Sequence, residues 1–323
     1  MSRNIVVTNI WMNDLHKEKV RKLAESLGFA VSFYDSEDEA IEAGAMEDVE
    51  IIFGKPVKTA ATKKDIRWLC LPSAGADLFT RPGAILSDEL ILTNSSGAYG
   101  ATLAEHMVMV TLMMIRRMPE FQEGIRNREW LRPRDQRSVK NSRVTVLGTG
   151  DLGGCYARRI KGFEPRQIIG VNRSGKCTDP AFDRIVPWTE MDSVLAETDI
   201  LAMTLPSTPE TTGILSADRI ALLPKDAYVI NVGRGDAVDE EALVKALNED
   251  RIAGAALDVM QHEPLPEDDP LWETKNVILT PHIAGNMTIP HTRDRAVEMF
   301  CEDLVNYADG RPLTYIVNRK LGY

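Results

Sequence analysis

The chain has 323 residues, with 38 Lys and Arg against 48 Asp and Glu and a net charge of −10. Its pI is about 5.2. Nucleic acid phosphates and anionic membrane surfaces need a basic footprint, so neither is expected as a partner. Hydrophobic residues make up 44% and charged residues 27%, which suits a globular protein of one large or two medium domains.

The opening stretch, "MSRNIVVTNIWMNDL", holds only a short apolar run. It has no signal-peptide core, and nothing later reaches membrane-span length. The four cysteines, Cys70, Cys155, Cys177 and Cys301, are scattered without a CxxC pair. A reduced, cytoplasmic protein lacking a zinc site or disulfide framework is the expectation.

Taken in chain order, the first hundred residues offer the strands "IVVT", "AVSF", "EIIF", "WLCL" and "ILT". The later ones are "VTVL", "IIGV", "DILAM", "YVINV", "AALDV" and "VIL". Such apolar runs without polar alternation are buried on both faces, and the helical stretches between them imply parallel sheets. The pattern predicts an α/β chain with two doubly wound units. Between the two sets lies "TLAEHMVMVTLMMI" (102–115), in which ten of fourteen residues are apolar. A helix that apolar needs cover on every side, from its own core or from a second subunit; the charged arm that follows it (116–142) favours a homodimer contact. His106, inside this helix, reads as a core histidine, and Trp130 in the arm is placed near the partner.

The strand "VTVL" runs into Gly148-x-Gly150-x-x-Gly153, then a helical pattern, then the strand "IIGV". A glycine turn in that context points to a dinucleotide pyrophosphate. Gly148 permits the tight turn, Gly150 the close approach of backbone to phosphate, and Gly153 the packing of helix on strand. Asn172 stands where a ribose-binding carboxylate usually ends the next strand, and Arg173, Ser174 and Lys176 follow. Without the acidic charge, and with a guanidinium and a hydroxyl at hand, a 2′-phosphate is favoured. NADP(H) is therefore expected over NAD(H).

Ligands in doubly wound sheets bind beyond the carboxyl ends of strands. There the sequence places "TLPSTPET", "GRG" with Arg234, "MQHEPLP" with Asp258 just before it and Glu263 within it, and "TPHIAG" with His282. An arginine, a carboxylate pair and a histidine at one sheet edge constitute a candidate site. In the first unit, the end of "IIFGKP" makes Phe53, Gly54 and Lys55 candidate substrate-side residues, with Lys55 suited to a second anionic group.

With these motifs assembled, the chain resembles the D-isomer-specific 2-hydroxyacid dehydrogenases, in particular their glyoxylate/hydroxypyruvate reductase-like members. The likeness rests on "SAGAD", "TNSSGAYGATLAEH", "GTGDLG", "LPSTPETTGIL", "INVGRGDAVDEEAL", "ALDVMQHEPLPEDDPLW" and "TPHIAG". It implies two Rossmann-like domains. Residues 99–287 would form the dinucleotide-binding domain, inserted into a smaller substrate domain of residues 1–98 and 288–323, with the cleft between them holding cofactor and substrate.

The resemblance also implies roles. His282 would be the general acid for ketone reduction and the base for alcohol oxidation. Glu263 would orient it, and Arg234 would grip the substrate carboxylate. The amides of Ala74 and Gly75 would hold that carboxylate too. Asp258 would contact the nicotinamide carboxamide. Asp151, Leu152, Thr102, Pro206, Val232 and Gly285 would complete the cofactor site, and no metal would be needed. Glu263 argues against formate dehydrogenase, which has glutamine there. Glyoxylate, hydroxypyruvate and bulkier 2-keto acids stay open as substrates. A nucleotide-sensing corepressor on the same fold is the alternative.

Overall fold

The computed structural model describes residues 3–132 and 135–323. They fall into two compact units. One is made of the segments up to Tyr99 and Asn286–Tyr323, the other of Gly100–Gly285.

The first unit has five parallel strands: β1 (Asn4–Val7), β2 (Ala30–Phe33), β3 (Ile51–Phe53), β4 (Trp68–Cys70) and β5 (Ile91–Thr93). Their order is β2-β1-β3-β4-β5. The chain reverses its direction of travel between β1 and β3, so Asn9 and Gly54 follow strands that flank the switch point. β3 and β4 are buried throughout, as their apolar runs predict. The Pro290–Ala308 helix brings Phe300 onto this sheet, where it stacks at 4.5 Å on Phe53 and at 5.3 Å on Trp68.

The second unit has seven parallel strands: β6 (Arg143–Leu147), β7 (Gln167–Asn172), β8 (Arg184–Pro187), β9 (Ile200–Met203), β10 (Tyr228–Asn231), β11 (Gly254–Leu257) and β12 (Val277–Leu279). The order is β12-β11-β10-β9-β6-β7-β8. The chain builds outward from β6 to β8, then returns to β9 on the other side of β6. That reversal opens a crevice at the carboxyl ends of β6 and β9, where the glycine turn and "TLPST" begin. Both sheets are doubly wound in the Rossmann manner.

The apolar Gly100–Ile115 helix is in large part a core helix of this unit, with eight of its sixteen residues buried. Met107, Val110 and Met114 join Val144, Val146, Tyr156 and Ile160 in one cluster. Thr111 bonds the Tyr156 hydroxyl at 3.0 Å. Leu103, Val108, Leu112 and Met113 are half-buried and Met109 is 47% exposed, so burial within the unit accounts for part of the apolarity. Within the charged arm, Met118–Arg126 is a helix with Pro119 in its first turn, where a missing N–H costs nothing. Among the described residues no helix is long and apolar enough to cross a membrane.

Candidate active site

The glycine turn joins β6 to the Asp151–Ile160 helix. Gly148 has φ +97, and a Cβ on Gly153 would lie 1.9 Å from the Gly148 carbonyl oxygen, so neither position accepts a side chain. Gly150 is the helix N-cap and makes no side-chain cap, and space around it is open. The helix start therefore keeps its amide end accessible, which is the cradle an anionic pyrophosphate fits. Asp151 does not spoil it: a Cβ on Gly100 would sit 2.4 Å from an Asp151 carboxylate oxygen, so that charge lies against the start of the neighbouring helix. Leu152 is half-buried, and Thr102 and Val232 are buried.

From this turn a run of close backbone approaches leads to the polar residues. Thr204, just past β9, donates its hydroxyl to Gly148 O at 3.0 Å. Next to it, Leu205 approaches Gly233 so closely that a Cβ there would be 2.6 Å from the Leu205 carbonyl oxygen. Pro206 follows and is half-buried. On the other side of Arg234, a Cβ on Gly235 would be 2.0 Å from the Met260 carbonyl carbon. The two glycines of "GRG" thus let Arg234 stand between the loops after β9 and β11. Asn231 fixes the turn, donating to Arg234 O at 2.8 Å and accepting from Gly233 N at 3.0 Å. The Arg234 guanidinium bonds its neighbour's carbonyl, Gly233 O, at 2.8 Å.

Met260 then connects to the carboxylate. Its amide donates to Glu263 Oε1 at 3.0 Å, while Oε2 meets His282 Nδ1 at 2.7 Å. The carboxylate fixes the imidazole tautomer with its proton on Nδ1, leaving Nε2 for proton exchange. The His282 side chain is 49% exposed and that of Glu263 33%, so both remain reachable. His282 has φ +52, a left-handed conformation rare for a residue with a side chain. Asp258 lies beneath, 2% exposed. Its Oδ1 accepts from the Thr280 hydroxyl at 2.6 Å and from the amides of Ile283 and Ala284 at 2.9 and 3.1 Å. Its Oδ2 accepts from Ala284 N at 3.0 Å. Gly285, next in line, is half-buried.

The loop after β7 is organised around Asn172. Its amide donates to the Thr149 hydroxyl at 2.6 Å and to Lys176 O at 2.9 Å, and its oxygen accepts from Gly175 N at 2.7 Å. Asn172 thereby ties this loop to the glycine turn. Ser174 is exposed and donates to Asn172 Oδ1 at 3.3 Å. The exposed Arg173 guanidinium lies 3.9 Å from Glu210, in the loop after β9.

In the first unit, Ser73 donates to Gly75 O at 2.8 Å and Asn94 to Ala74 O at 2.6 Å, fixing the "SAGAD" loop by its carbonyls. Lys55 is exposed. Gly54 is buried, and a Cβ on it would collide with the Thr8 hydroxyl at 1.9 Å. Phe53 requires a correction. Its ring is 0% exposed and stacked on Phe300, so it is part of the core and its side chain is unavailable to a substrate.

Sequence reasoning passed over Thr280 and read His106 as a core histidine, yet both lie beside the site. Thr280 bonds Asp258, and His106 Nε2 lies 3.4 Å from the Thr280 hydroxyl. His106 is half-buried, so it does not behave as a sealed core residue. Burial lowers its pKa, and the charge of Asp258 partly opposes that. The signal available was the threonine two positions before His282.

The family model for the NAD binding domain of D-isomer specific 2-hydroxyacid dehydrogenases matches residues 108–284. The chain belongs to this family. It is 33% identical over 241 residues to a glyoxylate reductase of Thermofilum pendens, covering 72% of this chain and 69% of that one. It is 30% identical over 288 residues to glyoxylate/hydroxypyruvate reductase A of Photorhabdus laumondii, covering 85% and 88% respectively. Among solved structures it is similar to a D-isomer specific 2-hydroxyacid dehydrogenase of Xanthobacter autotrophicus Py2, in complex with NADPH and MES. The TM-score is 0.82 at 28% identity, covering 100% of both chains.

Proposed function

We propose that this protein is an NAD(P)H-dependent oxidoreductase that interconverts a 2-keto acid and a D-2-hydroxy acid, working chiefly as a reductase. The observation that carries this is the 2.7 Å bond between Glu263 and His282, in the unit that also holds Arg234 and the glycine turn. Gly148, Gly150 and Gly153, with the helix start at Asp151 and Leu152, hold the pyrophosphate. Thr102, Pro206, Val232 and Gly285 line the remainder, and Asp258 Oδ2 meets the carboxamide. The nicotinamide, when bound, supplies the hydride. His282 Nε2 delivers the proton to the keto oxygen while Glu263 offsets the imidazolium charge. Arg234 binds the substrate carboxylate and polarises the carbonyl. The amides of Ala74 and Gly75, whose carbonyls are already engaged, assist in holding that carboxylate.

On this reading residues 99–287 form the dinucleotide-binding domain, and residues 1–98 and 288–323 the substrate domain. Lys55 receives a second anionic group on a dicarboxylic substrate. Glyoxylate and hydroxypyruvate lead the substrate classes, since relatives about one-third identical carry those names. NADPH is preferred because Asn172 replaces a carboxylate and Arg173 and Ser174 follow it. The exposed Met109, Ile125 and Trp130 support a homodimer built on the apolar helix and its arm. The four free cysteines support a cytoplasmic location. No observation favours the corepressor alternative.

Turnover of a panel of 2-keto acids, followed by loss of reduced-cofactor absorbance, tests the proposal. Reduction of at least one short 2-keto acid, lost in His282→Ala, is the expected result. Tight nucleotide binding without turnover of any acid would overturn it.

A further inference from the structure

We propose that His106, Thr280 and Asp258 form a proton-ordered strut that sets the position of His282, with His106 as its terminal donor. This rests on the reading of His282 as the proton-transfer residue.

The direction of the hydrogen bonds follows from counting protons. A threonine hydroxyl has a single hydrogen, and an ionised carboxylate can only accept. Thr280 donates its hydrogen to Asp258 Oδ1 at 2.6 Å. Its oxygen can therefore meet His106 Nε2, 3.4 Å away, only by accepting. The His106 proton must sit on Nε2. Burial of that ring favours the neutral imidazole, which still offers the donor.

At the other end, the strut terminates on the backbone around His282. The Asp258 carboxylate takes the amides of Ile283 and Ala284, and its carbonyl takes the amide of His282 at 2.9 Å. Three successive amides therefore end on one buried residue. That matters because His282 has φ +52. A non-glycine residue is disfavoured in that conformation and persists there only where its surroundings over-determine it. Asp258 supplies that determination. Thr280, just past β12, orients Asp258 from within the loop, and His106 anchors Thr280 from a separate element, the Gly100–Ile115 helix. Thr280 and His106 are thus positioning residues, acting on the proton donor without touching the substrate.

Two pairs of variants and one spectrum test this in the full-length protein. Thr280→Val removes the bridge and Thr280→Ser keeps it. His106→Leu removes the donor, whereas His106→Gln can present an amide N–H near the place of Nε2. A misplaced proton donor lowers kcat, so Val and Leu should each cost about ten-fold in kcat, with the keto-acid KM changed by less than about two-fold. Ser and Gln should restore most of the loss. Long-range ¹⁵N correlation spectra of the wild-type protein, with His106 identified by its loss in His106→Gln, should show hydrogen on Nε2 and none on Nδ1.

A wild-type kcat in both Thr280→Val and His106→Leu, where His282→Ala is inactive, would overturn the strut. So would an Nδ1–H tautomer at His106. Should Thr280→Val fail to fold, the histidine pair and the spectrum decide. An active His282→Ala would instead refute the catalytic reading, which the tautomer measurement does not depend on.

Discussion

Arg173→Ala is the sharpest test of cofactor choice. Its side chain is 40% exposed, and the guanidinium lies 3.9 Å from Glu210, whose side chain is 58% exposed. At that separation in a water-like dielectric, the attraction is about 1 kcal/mol, and exposed pairs retain about 0.2–1 kcal/mol of it. A charge-assisted contact to a 2′-phosphate contributes about 1.5–3 kcal/mol. Engaging the phosphate means weakening the Glu210 pair, which leaves a net gain of about 1–2.5 kcal/mol. At roughly 1.4 kcal/mol per factor of ten, Arg173→Ala should lower kcat/KM for NADPH by about 5- to 60-fold. NADH has no 2′-phosphate, so its kcat/KM should move by less than about three-fold. Initial rates with each cofactor at saturating keto acid measure both quantities. A wild-type enzyme that prefers NADH, or an equal loss with both cofactors, would refute the reasoning.

Glu210→Gln removes the competitor for that guanidinium and a negative charge near the phosphate, so it should raise NADPH kcat/KM by about two- to five-fold, an effect that added salt diminishes. His282→Ala should lower kcat by roughly 10²–10⁴-fold, and Arg234→Lys, which keeps the charge but loses the planar fork, should recover only part of the activity that Arg234→Ala loses. Gly235→Ala would drive a Cβ to 2.0 Å from the Met260 backbone; the loop must move, and a loss of about 1–3 kcal/mol in denaturant titration should accompany weaker keto-acid binding. Because burial depresses the His106 pKa in the folded state, the unfolded chain takes up the proton more readily on acidification. The stability this ring contributes is present above about pH 6.5 and is lost as pH falls toward its lower folded value, and His106→Gln should flatten that part of the urea-midpoint profile against pH.

The central strands were legible because parallel strands buried on both faces are written as unbroken apolar runs. β8 (Arg184–Pro187) escaped because its apolar run is only Ile185 and Val186, closed by Arg184 and Pro187; the edge strands β2 and β12 are no better buried but sit in three-residue apolar runs. The Met118–Arg126 helix escaped for a different reason: Met118, Phe121 and Ile125 do recur at helical spacing, but the stripe is short, leaves only Gly124 buried, and lies in a stretch dense with charge. Phe53 shows a different limit. The end of β3 marks the right edge of the sheet, but the facing of its ring depends on Phe300, far along the chain. Strand pattern locates such a residue without telling which partner claims its side chain.

The site divides along the same line. His282, Glu263 and Arg234 stand out in the sequence because the chemistry proposed for them resides in ionisable side chains. The geometry that makes them a unit resides in the backbone. Gly233 and Gly235 admit Leu205 and Met260, the Met260 amide fixes one oxygen of Glu263, and the Asp258 carboxyl gathers the amides beyond His282. Each of these partners is an amide or carbonyl that any residue could provide, so residue identity carries almost no trace of it. Asp258 illustrates the consequence. The family resemblance implies a group facing the cofactor, yet the Thr280 hydroxyl and the Ile283 and Ala284 amides turn most of its capacity toward the turn that holds His282. On the proposed reading, replacing it should therefore disturb proton transfer as well as nicotinamide contact, because one buried carboxylate would support both.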